Sequence, residues 1–78
     1  MNKFYILHPA QKLYDQIHLT LTRDPHVGGR SVSFELINQD VLLTGSVRTY
    51  FQKQMAQESL RGIEGLGRID NQLEVIRS

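Results

Sequence analysis

The side chains with the chemistry to form a site are few in this 78-residue chain, and their spacing excludes most reactions. His8, His18 and His26 are too far apart to converge at helical i, i+4 spacing. A zinc site needs three or four converging ligands, and no cysteine is present to complete one. No Gly-x-Ser-x-Gly elbow presents a serine, and no histidine has an orienting aspartate on a rigid element. Gly65-Leu66-Gly67 lacks the GxGxxG spacing of a phosphate loop and follows a helical pattern where such a loop would open one. Glu35 and Glu74 read as solvated carboxylates on strands. The sequence therefore predicts no catalytic set, no metal, no cofactor and no small-molecule substrate.

Two kinds of residue remain. Arg23, His26, Arg30, Arg48 and Arg77 have the chemistry to hold an anion, provided the fold gathers them. Nine Lys and Arg against eight Asp and Glu leave a net charge of +1, too little overall for a nucleic-acid partner. Asn71 alternates with Ile69, Leu73 and Val75 on an apolar strand face. A buried amide must find partners or cost about 1–3 kcal/mol, so Asn71 is predicted to pin a neighbouring loop backbone.

The elements that position these residues follow from periodicity. A hydrophobic fraction of 40% and a charged fraction of 22% suit one small globular domain. Pro9 fits the first turn of a helix, and Ala10, Leu13, Tyr14, Ile17 and Leu21 mark its apolar face. Asp24-Pro25-His26-Val27-Gly28-Gly29 ends it and supplies a flexible connection. Val32, Phe34 and Leu36 then alternate with polar residues, as do Val41, Leu43 and Val47. A turn at Asn38 to Asp40 joins these runs into a hairpin. Thr49 with Gln52 fits a capping box ahead of a second helix carrying Phe51, Met55, Ala56, Leu60 and Ile63. Gly62, Gly65 and Gly67 break that helix, and Ile69, Leu73 and Val75 form a third strand. Gly45 within a strand marks a close backbone approach or a bulge.

The second half carries a pattern that resembles the BON domain family of bacterial envelope, osmotic-stress and nodulation proteins. The resemblance rests on Val41-Leu42-Leu43-Thr44-Gly45-Ser46-Val47 before a capped helix with Ala56. It continues in Gly65-Leu66, Ile69 and Asn71-Gln72-Leu73-Glu74-Val75, with Leu66 where valine is more usual. It implies an α+β fold, an αββαβ two-layer sandwich with a three-stranded mixed sheet and two helices packed on one face. It also implies a non-catalytic module for anionic phospholipid or envelope proteins, or for a second copy of the chain. The expected core is Leu13, Ile17, Leu21, Phe34, Leu43, Phe51, Met55, Leu60, Ile69 and Leu73. Gly45, Gly65 and Asn71 are expected to be structural.

That topology would bring the arginines together. The first helix ends, the first strand begins and the second strand ends at one pole, and the third strand descends to it. Arg23, His26, Arg30, Arg48 and Arg77 would then cluster there against Asp24, an anionic-surface site on a nearly neutral chain. The apolar run Phe4 to Leu7 is too short for a signal-peptide core or a membrane span, which predicts a cytoplasmic location, with the periplasm or envelope as the alternative. Residues 10–78 read as the domain and 1–9 as an apolar segment. That segment either packs beside the first helix or on a sheet edge, or serves as a handle for association. On the packing reading, deleting Met1 to Leu7 destabilises or unfolds the domain in a thermal melt. On the handle reading, the domain stays folded and its sedimenting mass changes, and if nothing changes the segment is a passive tail.

Overall fold

Alternating apolar residues on two runs, separated by a turn that tolerates a left-handed residue, build the centre of this protein. The computed structural model describes residues 9–27 and 31–76. Helix α1 spans Pro9–Arg23, strand β1 Val32–Ile37, β2 Asp40–Val47, helix α2 Tyr50–Leu60, β3 Ile69–Asn71 and β4 Glu74–Val75. The expected order holds, with the last strand divided in two. Gly28, Gly29, Arg30, Arg77 and the segment Phe4 to Leu7 lie outside the described residues.

β1 and β2 pair antiparallel, from Ile37 opposite Asp40 to Val32 opposite Gly45. Their turn is Asn38-Gln39, one residue shorter than the sequence suggested, because Asp40 already belongs to the strand. Asn38 adopts φ 59°, a conformation asparagine tolerates better than most residues. The turn is clamped to the α2–β3 connection. Gly67 N donates to Gln39 O at 2.7 Å, and Arg68 N donates to Asp40 Oδ1 at 2.7 Å.

β3 and β4 both lie parallel to β2 on its other edge, Ile69 opposite Val41 and Val75 opposite Val47. The two strands keep one register. The break between them falls beside Gly45, where β2 takes φ +112°. Hydrogen bonds from Gln72 N to Leu43 O (2.9 Å) and from Ile76 N to Val47 O (2.8 Å) carry the pairing past the break.

Both helices cover the same sheet face. Tyr14 of α1 lies against Phe34, ring centroids 4.8 Å apart, and α2 reaches Asn71 through Lys53 and Gln57. Leu13, Ile17 and Leu21 from α1 meet Val41, Leu43 and Val47 from β2, Ala56 and Leu60 from α2, and Leu73. Phe34 and Ile69 pack half-buried at the margin of this core. Val27, which the sequence placed in a flexible connection, is buried as well, and its N–H bonds Asp24 O at 3.2 Å.

Phe51 corrects the expected core, for it is 56% exposed, and Met55 is only half-buried. The reason is helical phase. At about 100° per residue, Phe51 lies about 140° from Ala56 and about 180° from Leu60. The small Ala56 lets α2 approach the sheet closely and selects the Ala56–Leu60 side, which turns Phe51 away. Leu43→Ala is therefore expected to cost about 2–5 kcal/mol. Phe51→Ala should cost only about 0.5–1.5 kcal/mol, the scale of its edge-on contact with the His26 ring. Guanidinium unfolding of both variants checks the difference.

Candidate functional site: a cationic and aromatic pole

The pole is assembled where α1 ends, β1 begins, β2 ends and α2 begins. Arg23 occupies the last turn of α1, where a cation opposes the negative end of the helix dipole. Asp24 follows, and its Oδ1 accepts the His26 N–H at 2.8 Å, which folds the chain back on itself. The same oxygen lies 3.3 Å from His26 Nδ1. The His26 ring then meets Phe51 edge-on, centroids 5.2 Å apart. This contact ties the loop after α1 to the first turn of α2.

Arg48 leaves the end of β2 exposed, directly after buried Val47. Its backbone N–H donates to Gln52 Oε1 at 2.8 Å. Thr49 Oγ1 accepts the Gln52 N–H at 3.0 Å, and Thr49 N–H reaches Gln52 Oε1 at 3.3 Å, which completes the capping box. The cap engages this helix start internally, so an anion at the pole would be held by side chains. Tyr50 is 70% exposed beside Phe51. Among the described residues neither Arg23 nor Arg48 forms an ion pair.

Arg23, His26 and Arg48 thus lie at one end of the molecule. Arg30 and Arg77 fall outside the described residues. The described chain next to each is at this end, since Ser46 N bonds Ser31 O (2.9 Å) and Ile76 N bonds Val47 O. Sequence reasoning missed the aromatic half of the pole because it counted Phe51 as core and gave Tyr50 no role. The helical phase of Phe51 relative to Leu60 was the available signal.

The three structural candidates have distinct geometries. Gly45 combines its positive φ with a contact no other residue permits, since a Cβ would fall on the Ser31 carbonyl oxygen. Gly65 also has positive φ (+91°), but open space surrounds it. Asn71 Nδ2 donates to Lys53 O at 2.9 Å and Gln57 Oε1 at 3.2 Å, and its Oδ1 accepts Leu73 N–H at 3.2 Å. The expected bond to a neighbouring backbone is made at Leu73, between β3 and β4, and the same amide also fastens α2, because parallel pairing of β3 with β2 sets Asn71 under that helix.

With this geometry in place, comparison with known families finds a match to the BON domain over residues 10–77. The chain belongs to the BON domain family. No curated protein matches it. A BON domain is a non-catalytic module that binds lipids or proteins, and among the described residues no group of His, Asp and Glu is placed to hold a metal ion. In this BON domain Val47, Ala56 and Leu73 are buried, Gly45 lets β1 pass close to β2, and Asn71 fastens α2 to the sheet. Gly45→Ala should therefore exceed Gly65→Ala in cost. Gly65→Ala carries only the φ penalty, about 1–3 kcal/mol, whereas Gly45→Ala adds a backbone clash that forces β1 and β2 apart. Equilibrium unfolding of the two variants side by side measures the gap.

Proposed function

We propose that this BON domain docks on anionic membrane surfaces through the pole formed by Arg23, His26, Arg48, Tyr50 and Phe51. The observation that carries the reading is the pair of exposed aromatics on the first turn of α2 beside Arg48, which forms no ion pair among the described residues. Large aromatic side chains on a small domain normally enter the core, and these two are held outward by the phase of a capped helix. Tyr50, with an apolar ring and a polar hydroxyl, favours the level of lipid headgroups, and Phe51 adds apolar surface beside it. Cations supply the complementary attraction, about 1 kcal/mol each near an anionic surface.

Arg23 and Arg48 together then contribute about 2 kcal/mol, and the aromatics add a further apolar part. A sum of this size supports weak, reversible, salt-sensitive attachment. No helix among the described residues is long and apolar enough to cross a membrane, and peripheral docking needs none. The reading commits to the surface and its charge, with phosphate-bearing headgroups as the ligand class.

Co-sedimentation with phosphatidylglycerol and with phosphatidylcholine vesicles tests it. Wild type should bind the anionic vesicles at low salt and release at moderate salt, because surface charges are screened beyond about 10 Å at 0.1 M. The double reversal R23E/R48E should reduce binding at least about tenfold, and Y50S/F51S should weaken it at every salt concentration. Binding that ignores lipid charge, or that survives the reversal, would refute the proposal.

A further inference from the structure

The sheet face that neither helix covers has the reverse character. Strand alternation leaves Ser33, Glu35 and Ile37 of β1, Asp40, Leu42 and Thr44 of β2, and Asp70 and Glu74 on the face that neither helix covers. The four strands contain Glu35, Asp40, Asp70 and Glu74 and not one Lys or Arg. Register sets Glu35, Leu42 and Asp70 in one row across β1, β2 and β3, an apolar side chain between two carboxylates. Beside the hairpin turn this row borders an open groove of about 560 Å³, lined by Ile37, Asp40, Leu42, Asp70 and Arg68 among others. Ile37 is 57% exposed there. Arg68 is the one cation among the lining residues, and the acids outnumber it.

The groove thus offers an apolar floor with an acidic rim. The pole offers exposed rings with a cationic rim. These are complementary surfaces on opposite ends of one molecule, about 23 Å apart along the eight residues of β2. We infer that the groove receives the Arg23, Arg48, Tyr50 and Phe51 pole of a second copy of this chain. Copies then associate head to tail. Such a contact is heterologous: the copy that gives its groove keeps a free pole and the copy that gives its pole keeps a free groove, so association continues into a ring or an open chain according to the rotation between neighbours. Opposite charges at the rim steer the encounter and set the register, and the buried rings supply the apolar contact. The inference does not require membrane binding. It does make the two compete, since one pole serves both.

Sedimentation velocity in the absence of lipid is the test, over a range of protein concentration at low and at moderate salt. Wild type should gain mass with concentration at low salt and return to monomer as salt rises. E35K/D70K, which alters only the groove end, and R23E/R48E, which alters only the pole, should each associate about tenfold or more weakly alone. Mixed together they should recover association, because the unaltered pole of the groove variant fits the unaltered groove of the pole variant, and the two reversed ends match each other as well. A melt by circular dichroism establishes that both variants fold. If either does not, E35Q/D70N and R23Q/R48Q take their place, with several-fold weakening expected of each.

A wild type that stays monomeric throughout would overturn the inference and leave the groove to some other cationic partner. Association indifferent to either substitution pair, or no recovery on mixing the reversed pair, would overturn it too. Because no vesicle is present, failure here is separate from failure of membrane docking.

Discussion

Among the described residues every other strand pairs with β2 alone, so β2 must satisfy partners on both edges while also carrying the middle of the core. Its residues divide accordingly. Val41, Leu43 and Val47 point under the helices and are buried, while Asp40, Leu42, Thr44 and Ser46 form the uncovered face. Gly45 is where the two demands collide. β1 passes so close that a Cβ is sterically excluded, and the backbone turns to positive φ. On the other edge the parallel ladder breaks at the same level and resumes in register. A small domain with one compact core has little spare stability, and this strand concentrates much of it.

The second helix inherits its placement from that strand. β2 delivers Thr49 directly into the N-cap, Gln52 closes the box, and Asn71 holds the helix backbone from below. With the start and one side fixed, the helix turns Ala56 and Leu60 inward. Phe51 and Tyr50 are left facing out, next to Arg48 and His26. The pole is therefore a by-product of how the helix is seated. Its aromatic and cationic parts come from separate elements, with the His26–Phe51 contact linking the loop after α1 to α2.

Charge is segregated by the same architecture. The hairpin and the parallel third strand send β2 and β4 to finish at one end, with the end of α1 beside them, so cations that are distant in sequence share that end. The strands themselves carry acids alone, which sets a negative face and groove against a positive pole on a chain of net charge +1. Net charge says little about such a molecule. The separation between its ends is what a membrane or a second copy would read.

Local chemistry determined a good deal of this protein from the sequence alone. Period-two alternation marked the hairpin, Thr49 and Gln52 marked the start of α2, and the glycine and Asn-x-Leu-x-Val pattern marked the family. These features depend on neighbours within a few residues, which is why they were legible. Other features depend on distant partners. Asn71 reaches a helix as well as its own neighbour Leu73 because β3 runs parallel to β2. Val27 is buried because Asp24 folds the loop back over the core. Phe51 is exposed because Ala56, not the larger aromatic, decides which side of α2 meets the sheet. A hydrophobic stripe on a short helix permits more than one rotation, and only close packing against the sheet selects among them.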